Sequence, residues 1–337
     1  MAAARLQQLA WVVCWASFAV VALSAQPADW ERLVREGDAA LANRDFGTAT
    51  ELFESAVAVG ETFPEDDPRR PRALMRLARV HRADGDLASP EDIYRQADQA
   101  ALAAWGRESV EYSDLLNEVG RYYHRRRKHS DAERFYLDSF GTRVRLLGKE
   151  HVAVAESIAN LAIIYENLLQ FEKAEVYYQT ALDIRKRLLG PDDLRTVEIK
   201  EHFARLLHGM QRHDEAAALD LEAREARAPR LRELEGERVE LDTLPLSEVS
   251  RPPELVKQIE PNYSDEGRIG RSQGTVAIRV EIDDTGVPRN LRVVRTIGLG
   301  LDENALKAVR QWRFRPARQR GRPVACRLTY EINFTLL

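Results

Sequence analysis

The sequence predicts two folded domains, an all-α solenoid of stacked helix pairs followed by a small α+β domain with an antiparallel sheet. The solenoid is predicted by small and aromatic residues that recur every 42 residues over roughly the first two thirds of the chain. The sheet is predicted by apolar residues that alternate with polar ones near the C-terminus, as they do along half-buried strands. The 337 residues are long enough for two or three domains.

The first 25 residues are predicted to be an export signal. Arg5 is the only charged residue before Asp29, and residues 9–25 form an uncharged apolar run. Ala25 suits a signal-peptidase site, but Leu23, two residues earlier, is larger than such a site prefers. An uncleaved signal anchor is therefore the alternative, since 17 apolar residues are at the low end of what spans a bilayer. We expect a periplasmic protein of a Gram-negative-type envelope, anchored in the inner membrane if the signal is not cleaved.

Charge is distributed unevenly along the chain. The net charge of -4 gives no reason to expect nucleic acid as a partner. Residues 252–337 carry fifteen Lys and Arg against ten Asp and Glu, a local net of +5, so the rest of the chain carries -9. The difference indicates a domain boundary. If the signal is cleaved, Cys326 is the only cysteine left and no internal disulfide can form.

The repeat region is marked by glycines spaced 42 residues apart, at Gly106, Gly148 and Gly190. Columns in the same phase hold other small residues and tyrosines: Ala78, Gly120, Ala162 and Ala204, then Tyr94, Tyr136 and Tyr178. Apolar residues in each unit follow helical spacing, and a polar break at residues 169–172 separates two helices. Small residues are needed where helices cross closely. Such helix pairs bury their faces only by stacking on one another, which predicts an array.

The two central units resemble a known repeat family. The resemblance rests on ESIANLAIIY at residues 156–165 followed by AEVYY at residues 174–178. These segments are similar to tetratricopeptide repeats, of the 42-residue kind found in kinesin light chains, and the resemblance covers residues 30–225. It implies a concave surface for protein or peptide ligands, lined from the first helix of each unit by Arg121, His124, Glu166, Arg205 and His208. The alternative is that these five residues are only solvated helix faces.

Residues 226–253 are predicted to be a linker. They lose the repeat phase and contain Pro245, Pro252 and Pro253, which interrupt regular elements. Residues 230–240 could extend the last helix. Fully extended, the linker would reach on the order of 90 Å at about 3.3 Å per residue.

The C-terminal domain is predicted to have the order strand, strand, helix, strand. Apolar residues alternate along residues 274–282 and 324–334, and a return strand is expected around residues 291–297. Asp302 is predicted to be the N-cap of the helix, because its carboxylate can accept free N–H groups of the first turn. The helix, over about residues 303–312, should cover one face of the sheet.

This domain resembles the TonB C-terminal domain over residues 254–337. The motifs that carry the resemblance are PNY at residues 261–263, GTV at 274–276, DTG at 284–286, and the segment from Ala305 that ends in WRFRPA at 312–317. The resemblance implies that an edge strand takes up an extended segment of an outer-membrane TonB-dependent transporter. The last strand would be that edge, with Arg327, Thr329, Glu331 and Asn333 as its outward side chains. The alternative is an ordinary edge protected by its charges.

Three features depart from that family. Tyr263 is followed by Ser264 where the family has proline, and helical repeats replace the long periplasmic spacer. The energised members carry a histidine in their membrane helix, whereas no histidine here precedes His81. These departures favour an interaction protein over a proton-driven transducer.

No catalytic motif, cofactor site or metal site is predicted. His202, His208 and His213 are expected on different sides of one helix, so they should not form a ligand set. Arg310 and five further arginines lie close together at the end of the helix, and they either balance its dipole or bind an anionic surface such as peptidoglycan; the five further arginines are the candidates for that surface. They are Arg313, Arg315, Arg318, Arg320 and Arg322.

The function predicted from the sequence is a non-enzymatic periplasmic adaptor with one partner on the repeats and another on the C-terminal edge strand. One alternative is a TonB-type energy transducer for outer-membrane transport, anchored in the inner membrane. Another is a structural protein of the envelope that binds the cell wall through its arginines.

Overall fold

The computed structural model of the protein describes residues 27–84 and 90–336. The predicted signal or anchor at residues 1–25 lies outside the described part of the chain. Among the described residues, no helix is both long and apolar enough to span a membrane. The chain divides into two compact units, residues 1–149 and residues 150–337.

The described part of the first unit consists of helices that pack in pairs. They are α1 (Pro27–Ala42), α2 (Phe46–Gly60), α3 (Arg69–Asp84), α4 (Pro90–Trp105), α5 (Val110–Arg125) and α6 (His129–Leu147).

Close contact between paired helices explains why small residues recur. A Cβ atom on Gly120 of α5 would lie 2.6 Å from Cε1 of Tyr136 on α6. A Cβ atom on Gly37 of α1 would lie 2.8 Å from Cε1 of Phe53 on α2. Both aromatic rings are fully buried. The recurring columns of small residues and aromatics are thus the two sides of one packing contact.

The second unit begins with four more helices of the same kind. They are α7 (Val152–Asn167), α8 (Phe171–Leu189), α9 (Leu194–Gly209) and α10 (His213–Glu235). The predicted break between the helices of one unit is confirmed between α7 and α8, where Leu169 has a φ of 59°. Gln211, 42 residues later, has a φ of 63°. Gly190, between α8 and α9, has a φ of 93°, which favours glycine.

The rest of the second unit is an α+β domain. Its strands are β1 (Thr243–Pro245), β2 (Glu254–Lys257), β3 (Gly274–Ile282), β4 (Pro288–Arg295), β5 (Arg313–Arg315), β6 (Ala317–Gln319) and β7 (Arg322–Phe334), and its helices are α11 (Asp265–Ile269) and α12 (Leu301–Val309). The main sheet has the order β1-β7-β3-β4, with β3 antiparallel to both neighbours and β1 parallel to β7. The predicted antiparallel core and its covering helix are confirmed.

The turn between β3 and β4 depends on one glycine. Gly286 has a φ of 87°, and a Cβ atom there would lie 1.8 Å from the carbonyl oxygen of Phe314. The N–H of Phe314 donates to the carbonyl of Gly286 at 2.9 Å. The DTG motif therefore lets the hairpin turn approach the β5 backbone.

Much of the predicted linker takes part in the fold, and the last helix of the repeats extends into it as the sequence allowed. α10 continues to Glu235, and Leu231 on this helix is buried in the same apolar core as Ile278 and Leu306. Further along, β1 pairs with β7. The segment is therefore built into the α+β domain, because α10 buries apolar residues against the sheet instead of leaving them in solvent.

The predicted N-cap role of Asp302 is also wrong. α12 begins at Leu301, and its N-cap is Gly300 with a φ of 77°. The carboxylate of Asp302 turns back and accepts the N–H groups of Ile297 at 2.8 Å and Gly298 at 3.0 Å. The loop before the helix presents these donors, so the carboxylate organises the loop and not the first helical turn.

Candidate interaction surfaces

The outer edge of β7 is only partly covered. One side of β7 pairs with β3 from Cys326 to Phe334. On the other side, β1 pairs with residues 325–327, and nearer the start of β7 residues 322–324 pair with β6. Beyond Arg327, no strand in the described part of the chain pairs with this outer side. Residues 328–334 therefore present an open strand edge.

The four side chains predicted to project outward from β7 are all exposed. They alternate with the buried residues Cys326, Ile332 and Phe334 and so lie on the solvent face of the sheet. Two of them contact other strands. The carboxylate of Glu331 lies 3.1 Å from the guanidinium of Arg295 on β4, and the side chain of Asn333 accepts a hydrogen bond from Thr275 on β3 at 2.7 Å. The open element at β7 is thus its backbone, with these side chains on one flank.

In the second unit, the structure brings together two of the residues predicted for the repeat surface. The guanidinium of Arg205 donates to both carboxylate oxygens of Glu166 at 3.0 Å. The hydroxyl of Tyr178 donates to the same carboxylate at 2.7 Å. Burial raises the pKa of Tyr178 well above its usual value, so this hydroxyl remains a donor.

His208 is exposed, but its surroundings differ from the prediction. A turn at residues 210–212 places His208 at the end of α9 and His213 at the start of α10, so the two do not share a helix. Their Nδ1 atoms are 3.3 Å apart, and Nε2 of His208 lies 2.9 Å from Asp220. The described residues nevertheless contain no cluster of three or more side chains suited to a metal ion.

In the first unit, the prediction for His124 is wrong. Its side chain is buried on α5, and its ring centroid lies 5.6 Å from that of His129 on α6. The side chain faces the partner helix, so a ligand cannot reach it. Arg121 on the same helix is partly buried.

The five clustered arginines are exposed and spread over two strands, a turn and the start of β7. Arg315 forms an ion pair with Glu254 of β2, and Arg318 donates to the carbonyl of Gly321 at 2.8 Å. Because α12 ends at Val309, these arginines lie beyond its last turn. The helix dipole acts over that last turn and does not account for them.

A buried charge network joins the last repeat to the α+β domain. The guanidinium of Arg227 on α10 donates to Glu201 of α9 at 2.6 and 2.8 Å and to Glu303 of α12 at 2.8 Å. Glu201 also accepts the N–H of Leu299 at 3.1 Å. The three charged side chains are at most 10% exposed. The sequence offered no signal for this network, because Glu303 lies 76 residues from Arg227.

Two further carboxyl groups at this junction have raised pKa values. Burial raises the pKa of Glu198 on α9 to about 7, and the nearby Glu266 adds to the effect. Burial also raises the pKa of Asp302 to about 7, against the opposing effect of its two backbone donors. The contact between repeats and sheet therefore contains acids that titrate near neutral pH.

Comparison with known families agrees with this architecture. Residues 259–336 match the family described as Gram-negative bacterial TonB protein C-terminal. Residues 111–186 and 152–228 match the tetratricopeptide repeat. The chain joins tetratricopeptide repeats to a TonB-type C-terminal domain. The repeats indicate protein–protein interaction, and the two families are non-catalytic in general.

Individual relatives cover parts of the chain. Protein TonB of Vibrio cholerae serotype O1 is 33% identical over 89 residues, which is 26% of this chain and 36% of that protein. The chain thus spans about a third of the length of this relative.

Two solved structures share the repeat fold. BtubC (BKLC) from P. vanneervenii has a TM-score of 0.53 at 21% identity, covering 62% of this chain and 82% of its own. A kinesin-light-chain-type protein of Podosopora anserina with nearly identical TPR-like repeats has a TM-score of 0.52 at 20% identity, covering 61% and 99%. The predicted resemblances and fold class are confirmed.

Proposed function

We propose that the protein is a non-enzymatic periplasmic adaptor that needs neither cofactor nor metal. Its TonB-type domain takes up an extended segment of an outer-membrane protein, and its repeats hold a second protein or peptide. The observation that carries this proposal is the open outer edge of β7 in a domain of the TonB type. Unpaired N–H and C=O groups along such an edge are the chemistry that binds an extended peptide as an added strand.

The arrangement of β1 limits where the partner can pair. β1 occupies the outer side of β7 at residues 325–327, in a parallel orientation. An incoming segment pairs with residues 328–334, where no strand of the described chain occupies this side. Arg327, Thr329, Glu331 and Asn333 flank that track and contribute to the choice of partner. Outer-membrane TonB-dependent transporters are the partners expected from the family resemblance.

The repeats supply the second surface in this proposal. In the second unit, Arg205 and Glu166 hold one another in a bidentate pair, and His208 remains exposed beside them. A fixed ion pair presents both charges in one orientation, which suits recognition of polar groups on a protein partner. In the first unit, Arg121 is the remaining candidate from α5.

The similarity to Protein TonB favours a second candidate function, an energy transducer anchored in the inner membrane. The exposure of the five clustered arginines favours a third, binding of the envelope protein to peptidoglycan. The fate of residues 1–25 separates the adaptor from the transducer. Mass spectrometry of the protein isolated from cells measures it directly, and their removal would contradict the transducer.

Hydrogen exchange tests the docking proposal on the full chain. The probe is a synthetic peptide with the periplasmic N-terminal segment of an outer-membrane transporter, and a scrambled peptide is the control. We expect the transporter peptide to slow amide exchange at residues 328–334, while the scrambled peptide does not. Unchanged exchange along β7 with saturating transporter peptide would contradict the proposal.

A further inference from the structure

A groove runs along the outer edge of β4, between this strand and α10. It consists of three clefts with volumes of about 680, 470 and 230 Å³. The first and second clefts share Arg224, Leu231 and Arg295, and the second and third share Glu235 and Arg292. Neighbouring clefts lie side by side on these shared residues, and we call the three together the β4 groove.

Arginines line both walls of the β4 groove. Several form no ion pair with any residue that the structure describes: Arg224 and Arg232 of α10, Arg271, and Arg279 and Arg292 of the strands. They differ from the clustered arginines at residues 313–322, which lie elsewhere on the domain.

The carboxylates that border the β4 groove are already engaged. Each has a partner within the protein: Glu201 with Arg227, Asp302 with the N–H groups of residues 297 and 298, Asp220 with His208, and Glu281 with Asn290. Ten arginines line the three clefts against these four carboxylates and Glu235, so the net charge that faces a ligand is positive.

The backbone edge of β4 already binds groups of this chain. The N–H of Val293 donates to the carboxylate of Glu235 at 2.9 Å. The side-chain oxygen of Asn290 accepts the backbone N–H of Val239, and its side-chain nitrogen donates to the carbonyl of Val239, each at 2.7 Å. Residues 294–296 have no strand on this side within the described chain, and Val294 is 46% exposed. β4 thus holds a carboxylate through its backbone and a main-chain segment through the side chain of Asn290, and the end of its outer edge has no strand partner within the described chain.

We propose that the β4 groove binds an extended acidic peptide segment of a partner protein. Its backbone pairs with residues 294–296, the end of β4 and the residue that follows it, and its carboxylates pair with Arg224, Arg232 and Arg292. Guanidinium groups bind carboxylates through two parallel hydrogen bonds, and a strand edge supplies register for alternating side chains. This site goes beyond the proposed function, because it lies on the opposite edge of the sheet from β7 and does not depend on the partner of β7.

Fluorescence anisotropy with the full chain tests the proposal. The probe is a labelled peptide of about ten residues that alternates Glu and Val, long enough for an ordinary strand, and the control peptide alternates Lys and Val. We expect binding of the Glu peptide alone, weakened as salt rises, because the groove is open to solvent and its charges are screened.

Matched charge variants locate the site. The double variant Arg224→Glu and Arg292→Glu places like charges against the peptide, so affinity should fall at least about tenfold. The control, Arg95→Glu and Arg107→Glu at exposed positions of the first unit, changes the net charge equally and should bind as the unaltered chain does. Circular dichroism checks that both variants remain folded. Unchanged binding by the groove variant, or equal loss in both variants, would overturn the proposal.

Two more results would count against it. Vesicles containing phosphatidylglycerol that bind the chain through Arg224 and Arg292, with no binding of the Glu peptide, would make the groove a lipid site. Exchange slowed by the Glu peptide at residues 328–334 and not at 294–296 would place the peptide on β7, which contradicts the groove but not the proposed function. Conversely, if the transporter peptide does not bind β7 while the Glu peptide slows exchange at residues 294–296, the proposed function is contradicted and the groove is supported.

Discussion

The two outer edges of the main sheet differ in how the rest of the chain treats them. The β7 edge is partly covered by the three-residue strand β1, and on that outer side residues 328–334 pair with no strand of the described chain. The β4 edge has no strand on its outer side within the described chain, but α10 packs along it and lines it with arginines. At the β7 edge the covering element is a strand that pairs with the edge, and at the β4 edge it is a helix that packs along the edge. Two edges of one small sheet can therefore select different partners.

The largest expected effect comes from removing the cation that holds α10 in place beside β4. Arg227→Ala leaves Glu201 and Glu303 buried without their counter-charge, so the free energy of unfolding should fall by about 3–5 kcal/mol. Urea denaturation followed by circular dichroism measures it. Arg224→Ala, three residues earlier and exposed, is the control and should change stability by less than about 0.5 kcal/mol. Equal effects of the two substitutions would show that the network does not anchor the helix.

A second substitution tests the apolar contact between α10 and the sheet. Leu231→Ala removes buried methyl groups from the core, and we expect a loss of about 2–3 kcal/mol in the free energy of unfolding. Leu221→Ala on the same helix, where the leucine is 54% exposed, should have little effect. If both leucines cost the same, α10 does not share the core of the α+β domain.

The pH dependence of the free energy of unfolding tests the junction between the repeats and the α+β domain, where Glu198 lies. Glu198 has a pKa of about 7 when folded against 4.5 ordinarily, so the folded state holds its proton more tightly. Its contribution to stability is complete below about pH 4.5 and is lost as pH rises through about 7, a loss of about 3 kcal/mol. Glu198→Gln keeps the side chain neutral and should flatten this part of the stability profile.

Urea denaturation at pH 5 and pH 8 checks this expectation. The difference in stability between the two pH values should shrink in Glu198→Gln and persist in Glu237→Gln, a substitution of an exposed carboxylate. An unchanged difference in Glu198→Gln would show that this acid is not buried at the junction.

The smallest expected effect on stability concerns β1. Leu244→Pro removes a backbone donor from the short strand and should cost about 1 kcal/mol or less. Amide exchange at residues 325–327 should accelerate, while exchange along β4 stays the same. In the full chain, a transporter peptide should then protect residues 325–327 as well as 328–334. Unchanged exchange at residues 325–327 would mean that β1 does not cover this edge.

The parts predicted correctly from the sequence are those whose packing is local. Gly120 and Tyr136 lie in one helix pair, so their contact leaves a periodic trace in the sequence. The alternation over residues 274–282 and 324–334 likewise records which face of each strand is buried, and it located β3 and β7 well. The repeat fold and the antiparallel core could thus be predicted from the order of residues alone.

The parts missed depend on contacts between distant segments. The network around Arg227 joins three helices, and each member alone looks like a solvated charge. β1 is too short for an alternating pattern, and its pairing is visible only when β7 is in place. His124 has the residue type of a ligand-binding side chain, but its burial is set by the neighbouring α6. Whether the candidate surfaces bind partners is what the experiments above decide.

The double role of α10 has a consequence for how such proteins can be recombined. In a fusion of a repeat array with a new C-terminal domain, the joint is expected to lie between the two domains. From the sequence, residue 226 would be a natural place for it. Here Leu231 of α10 belongs to the core of the following domain. A gene fusion at that point would leave the C-terminal module without part of its interior. The segment that can be exchanged intact therefore starts before α10. The last helix of the repeats has to be kept together with the domain that follows it.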